Sequence, residues 1–240
     1  SGSARVFSDA LIPGGSLIVP PGTNQVLVTP NGDKAIFLSS STSQPITIVN
    51  LAGGQVSGEP RTMQLDGVGA SRGQISPDGS KLIVFGGASP GKLFIIDLIT
   101  EAIPAYGKVA LLSFGNGTPI DMAITQDGRY AFVLSIGGER ITVVELLTGV
   151  VAKQEEMFGT MNAISVAPTG EIYASGLYNL YEYSPSPPFA RVGRSRFFGS
   201  PGKLFFSPNG RYVFAANYIA NSSLMIFDRK IGRASCRERV

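Results

Sequence analysis

Ile75-Ser76-Pro77-Asp78-Gly79-Ser80, then Leu82-Ile83-Val84-Phe85, then Leu93-Phe94-Ile95-Ile96-Asp97: this stretch decides the fold. It reads as strand, tight turn, strand, a Gly/Ser/Pro loop over residues 86–91, and strand. The turn has a chemical reason. Proline presets φ, aspartate tolerates a left-handed conformation, and glycine supplies φ > 0. Asp-Gly between apolar runs is the strongest short hairpin signal.

The turn recurs as Pro30-Asn31-Gly32, Pro77-Asp78-Gly79, Gln126-Asp127-Gly128, Pro168-Thr169-Gly170 and Pro208-Asn209-Gly210. The glycines lie 47, 49, 42 and 40 residues apart. A polar residue closes the third apolar run at Asn50, Asp97, Glu145 and Asp228, a near-constant distance after the turn glycine. The fourth copy departs from this, with Leu180-Tyr181-Glu182-Tyr183 arriving early. The apolar runs are short and rich in Val, Ile, Phe and Tyr, so they read as strands and not helices. A period in the forties with several strands per copy is the signature of propeller blades.

The expected fold class is therefore all-β, a β-propeller of four-stranded antiparallel blades. About five blades are present, and the expectation is a fragment of a seven-bladed propeller. Residues 1–19 read as the last one or two strands of a preceding blade. Blade one has expected strands at Val26 to Thr29, Ala35 to Leu38, Ile46 to Asn50 and Arg61 to Leu65. Blade two ends with Lys108 to Phe114, and blade four with Val192 to Phe198.

The chain has 240 residues, 43% hydrophobic, with 30 Gly and 16 Pro. This suits a large core with many tight turns. No apolar run approaches the ~20 residues of a membrane span. No signal peptide is visible and the sequence does not start with Met, so it reads as a mature or cut product. The net charge of +3 is local. Residues 230–240 hold four of the 20 basic and one of the 17 acidic residues, so the remainder carries 16 of each. This segment breaks the strand pattern and resembles the conceptual translation of a sequencing adapter. The reading divides the chain into a single propeller domain over 1–229 and a non-native or disordered tail over 230–240. A natural basic tail meeting an acidic surface is the other reading of the same residues. Without the tail the charge gives no argument for nucleic-acid or membrane binding. The one cysteine, Cys236, lies in it, and a cysteine-free domain fits an oxidising compartment.

Ile124-Thr125-Gln126-Asp127-Gly128-Arg129-Tyr130-Ala131-Phe132-Val133 and Phe206-Ser207-Pro208-Asn209-Gly210-Arg211-Tyr212-Val213-Phe214-Ala215-Ala216-Asn217 resemble the YVTN family of bacterial β-propeller repeats. Ile141-Thr142-Val143-Val144-Glu145-Leu146-Leu147-Thr148-Gly149 matches the later part of that repeat. The resemblance covers nearly all of residues 20–228. It implies a surface or periplasmic protein, or a lactonase-like one. There is no Trp and no His, so the Trp-Asp and Gly-His marks of WD40 repeats are missing, as is the His ligand of haem-bearing propellers.

Zero His removes the commonest general base and metal ligand. No Gly-x-Ser-x-Gly elbow occurs. Asp121, Glu139 and Glu145 fall in one blade and leave carboxylate chemistry open. Asp97, Glu145 and Asp228 read as turn-closing caps. Asn31, Asp78, Asp127 and Asn209 sit in every repeated turn but one, which argues for a structural role. Seven residues before each turn glycine stand Gln25, Arg72, Asp121, Ala163 and Lys203. A blade's first strand is innermost, so these mark the mouth of a central channel. Four are polar and they differ, as a specific ligand site would; a solvated channel also predicts polar residues. With the neighbouring Asn162, the ligand-binding candidates are Gln25, Arg72, Asp121, Asn162 and Lys203. The expected function is a non-catalytic binding or interaction scaffold of an exported bacterial protein, periplasmic or extracellular. The alternative is a lactonase-like hydrolase at the channel mouth. Expected partners are a protein or a small-molecule or carbohydrate ligand, with no nucleic acid, membrane insertion, cofactor or metal.

Overall fold

The computed structural model describes residues 2–7, 13–86, 91–110, 117–137, 139–157, 159–196, 201–217, 224–230 and 233–237. The chain divides into two compact units, Ser1–Leu111 and Leu112–Val240.

In the first unit a two-stranded hairpin, β1 (Gly2–Phe7) and β2 (Pro13–Val19), precedes two four-stranded sheets. Sheet one holds β3 (Thr23–Val28), β4 (Lys34–Ser39), β5 (Ile46–Ala52) and β6 (Gln55–Met63). Sheet two holds β7 (Ala70–Ile75), β8 (Lys81–Gly86), β9 (Lys92–Asp97) and β10 (Lys108–Ala110). The second unit contains three more. These are β11 (Thr118–Ile124), β12 (Tyr130–Ile136), β13 (Arg140–Glu145) and β14 (Val151–Glu156); β15 (Met161–Val166), β16 (Ile172–Gly176), β17 (Asn179–Tyr183) and β18 (Arg191–Arg196); and β19 (Pro201–Phe206), β20 (Tyr212–Asn217), β21 (Leu224–Asp228) and β22 (Arg233–Arg237). Every sheet is an antiparallel meander in chain order. No helix occurs among the described residues.

Within each unit the first strands of successive sheets lie side by side, β3 next to β7, and β11, β15 and β19 in series. This is the blade arrangement of a β-propeller, with five four-stranded blades among the described residues. The core lies between blades. Leu38, Ile46 and Ile48 of blade one pack with Leu82, Val84, Phe94 and Ile96 of blade two. Phe132, Ile141 and Val143 pack with Ile164, Ile172 and Tyr181 in the second unit, and Tyr173 and Leu180 with Val213 and Phe227. A side chain of this size removed from water stabilises the fold by about 1.5–3 kcal/mol, so within each unit a blade holds its neighbour.

The hairpin turns share one hydrogen-bond pattern. Thr29, Ser76, Thr125 and Ser207 accept the amide N–H of the residue that opens the second strand. Asp78, Asp127 and Asn209 accept a hydroxyl on one side and the amide two residues on. The hydroxyl of Ser76 is the main reason the Asp78 carboxyl sits below its ordinary range. In the fourth turn Ala167 replaces the hydroxyl, and Thr169 bonds Glu171 instead. Asp97 closes the third strand of its blade by accepting the amides of Thr100 and Ile99, which lowers its pKa. Glu145 accepts the Thr148 hydroxyl, and Asp228 accepts the Lys230 amide.

The first strand of blade one begins at Thr23 and not Val26, the outer strand of blade four begins at Arg191 and not Val192, and three further boundaries differ from expectation. The outer strand of blade one begins at Gln55, not Arg61, because Gly53 and Gly54 both adopt positive φ and close a two-residue hairpin with Ala52 opposite Gln55. The expected strand Lys108 to Phe114 is seen as Lys108–Ala110, residues 111–116 lying outside those described. Arg233–Arg237, inside the stretch set aside as a tail, runs antiparallel to β21.

Candidate functional site

All five first strands carry a β-bulge at one equivalent place. The register shifts between Thr23 and Gln25, Ala70 and Arg72, Pro119 and Asp121, Met161 and Ala163, and Pro201 and Lys203. The residue after the bulge is in every case the one seven before the turn glycine. Asn162 is the extra residue of its bulge. Bulges re-aim side chains and recur beside functional sites.

Two of the five candidates reach across to the next blade. Gln25 reaches from β3 to the next blade, donating from Nε2 to Gly73 O at 3.0 Å and accepting Gly73 N–H at 2.9 Å. Asp121 Oδ2 accepts the N–H of Ile164, in the next blade, at 3.0 Å. Gly73 and Ile164 are themselves equivalent, each six before its turn glycine. So a side-chain acceptor in one blade meets a backbone donor in the next. Asn24, the extra residue of the first bulge, adds a bond from Nδ2 to Ala70 O. Ala163 has no acceptor side chain. Lys203 is exposed, and Arg72 and Asn162 are half-buried.

Because side chains alternate along a strand, residues next to Gln25 face the other way. Val26 and Val28 are 51% and 55% exposed on that opposite face of β3. At the far blade, Leu204 and Phe206 pack with Tyr173, while Phe205 between them is 57% exposed.

Gln25→Ala should destabilise the first unit by about 1–2 kcal/mol, because a part-buried N–H and carbonyl both lose their partner. Urea denaturation measures this. Gln25→Glu should recover less than half of the loss, since a carboxylate accepts from Gly73 N–H but repels its carbonyl.

Other inter-blade devices were not visible in the sequence. Glu101, at φ 53°, is buried and pairs with Lys34 Nζ at 2.7 Å and Arg61 Nη1 at 2.8 Å. Arg229 of the fifth blade donates to Tyr173 OH at 2.6 Å, Thr169 Oγ1 at 2.7 Å and Gly210 O at 2.7 Å, and pairs with Glu171 at 2.9 Å. Burial pushes the Tyr173 phenol well above its ordinary range, and Glu182 adds to this. In the other regular copies the position of Arg229 holds Leu51, Leu98 and Leu146. Only the exchange of that apolar residue for Arg could have signalled the clamp.

The loop between β17 and β18 holds a cis Pro187–Pro188 bond and delivers Phe189 to blade three, where its ring stands edge-on to Tyr130 and Phe132. Tyr181 and Tyr183 are buried on the sheet, while Tyr178 is exposed. A polar recess of about 410 Å³ lies in the first unit between two hairpin turns, lined by Thr29, Asn31, Asp33, Lys34, Asp78 and Ser80 among others. Its carboxylates serve the turns: Thr29 donates to Asp33, which lowers that pKa, and Ser76 and Ser80 donate to Asp78. Among the described residues no three His, Cys, Asp or Glu side chains gather in metal-binding geometry.

No protein-family model matches the chain, and no curated protein matches it. Solved structures do. A hydrazine synthase chain from Kuenenia stuttgartiensis is similar over 70% of this chain and 49% of its own, with a TM-score of 0.61 and 18% identity. The present chain thus spans about half the length of that one. The β-propeller domain of Cps50 (Swd1) from Myceliophteria thermophila is similar over 100% of this chain and 81% of its own, with a TM-score of 0.72 and 13% identity. At these identities the likeness concerns the fold, which is that of a β-propeller.

Proposed function

We propose that this propeller is a non-catalytic binding scaffold belonging to an exported bacterial protein of the YVTN-repeat kind. The observation that carries the reading is the bulge shared by all five first strands. It holds one position constant in backbone and leaves its side chain variable: Gln25, Arg72, Asp121, Ala163, Lys203. A repeated frame with divergent side chains at the equivalent strand position is what ligand-specific recognition requires. On this reading Gln25 and Asp121 each tie a first strand to the next blade within its own unit, and a protein, small-molecule or carbohydrate ligand is met by Arg72 in the first unit or by Asn162 and Lys203 in the second. The dense polar capping of the turns supports a rigid scaffold. The near absence of cysteine supports a periplasmic or extracellular address, which fractionation of the source cell would test.

The competing lactonase-like reading makes Asp121 a catalytic carboxylate. In Asp121→Asn the side chain keeps an oxygen that accepts Ile164 N–H, so stability should change by less than about 1 kcal/mol. We expect wild type and this variant to show the same background hydrolysis of sugar lactones, with or without divalent metal. Measurable turnover in wild type that disappears in the equally stable variant would replace the scaffold reading with the enzyme.

A further inference from the structure

We propose that β18, the outer strand of the fourth blade, takes up an acidic extended peptide as a fifth strand of that sheet. This site is separate from the first-strand surface and does not depend on it.

The strand is terminal in its sheet and pairs only with β17. It reads Arg191-Val192-Gly193-Arg194-Ser195-Arg196, with three cations and no carboxylate. A bulge decides how they point. The register shifts between Glu182 and Tyr183, leaving Arg191 opposite Tyr183, Arg194 opposite Tyr181 and Arg196 opposite Asn179. Were Val192 paired in regular register, Arg191 would fall on the opposite face from Arg194 and Arg196. With it, all three stand on the face that carries Tyr183, Tyr181 and Asn179.

The guanidinium groups are held in place. Those of Arg191 and Arg194 lie 5.5 and 5.8 Å from the ring centre of Tyr181. Arg194 Nε also donates to Asn179 Oδ1 at 2.9 Å. Arg191 has Glu155 at 3.8 Å, whereas among the described residues no carboxylate lies within ion-pair distance of Arg194 or Arg196. The outer strands of blades one and three differ. β6 carries Glu59 and Pro60, and its Arg61 is bound to Glu101. In β14, Lys153 pairs with Glu155, and Glu156 with Arg140. Those two are neutralised or blocked in the usual ways; β18 keeps an unbalanced positive ridge along an open row of backbone groups.

An added strand supplies backbone bonds for affinity, and alternate side chains supply the choice of partner. Carboxylates at every second residue repeat at about 6.6–7 Å, which matches the spacing of Arg194 and Arg196. The partner is therefore an extended segment with acidic residues at alternate positions.

Fluorescence anisotropy with the full chain tests this, using a labelled alternating Thr-Glu peptide of about eight residues. We expect saturable binding that weakens severalfold when salt rises from about 50 to about 200 mM. Reversing both charges, Arg194→Glu with Arg196→Glu, should weaken binding at least about tenfold while circular dichroism stays unchanged. Methylating alternate peptide amides should abolish binding, with no change to the protein. Absence of binding at low salt overturns the proposal. So does undiminished binding of the methylated peptide, or equal competition from a single-stranded oligonucleotide of the same charge, because either makes the ridge a general polyanion patch.

Discussion

Phe189→Ala is expected to lower the unfolding free energy of the second unit by about 4 kcal/mol, within the usual range for Phe truncation in a core. The ring is 2% exposed. It stands edge-on to Tyr130 at 4.8 Å and to Phe132 at 5.5 Å, joining the loop of blade four to blade three. Such ring pairs add about 0.5–1.5 kcal/mol to the area they bury. Blade three cannot move into the vacated space, because its Phe132 is pinned in the strand ladder between β11 and β13. The loop's own bonds survive the change: Phe189 N–H donates to Ser186 O, and Lys153 Nζ donates to Phe189 O. The loss is therefore one of packing, and Phe189→Leu should cost only about half as much as Phe189→Ala. Denaturant titration with an unchanged slope checks this. A loss below about 1 kcal/mol would mean the ring contributes little beyond surface cover.

Gly86→Ala should cost about 3 kcal/mol, at the upper end for overpacking. Gly86 ends β8 and pairs with Ala70, beside the bulge. A Cβ there would lie 2.0 Å from Gly69 O, and a backbone carbonyl has no rotamer by which to withdraw. Its partner strand would have to move, and with it the register of Arg72. Gly32→Ala is the control. That glycine has φ 72° and nothing within 4 Å of a Cβ, so only the left-handed backbone is penalised, by about 1–2 kcal/mol. If the two variants lose equal stability by urea denaturation, the close approach at Gly86 is not what the site requires.

The turns were legible because their chemistry is local. Asp78, Asp127 and Asn209 make the same bonds in three blades, and those bonds need no knowledge of neighbours. The apolar runs were legible because each is buried on both sides between blades, as in Leu82–Phe85. The start of β6 was not. Gln55-Val56-Ser57-Gly58-Glu59-Pro60 has the composition of a loop, and only the two glycines before it make it a strand. The position of Gln25 and Asp121 follows from its fixed distance to the turn glycine, but its bonds do not. An acceptor facing water and one facing a neighbouring amide have the same chemistry in one dimension. The bulges left no mark, because the strand keeps its alternation on either side of the extra residue. Phe189 and Arg229 were invisible for a related reason: their partners are about 60 residues away in chain and come from other copies.

The bond that crosses from one copy to the next has an asymmetry with consequences for how such chains lengthen. The acceptor is a side chain, at Gln25 or Asp121, but the donor is a peptide N–H, at Gly73 or Ile164. Any duplicated segment brings that donor with it, whatever its residues. A newborn copy can thus be clasped by its predecessor from the first generation, and afterwards drift freely at the receiving site. Only the offering residue is under restraint, and where it has become Ala163 the following copy is anchored by other means, among them Arg229.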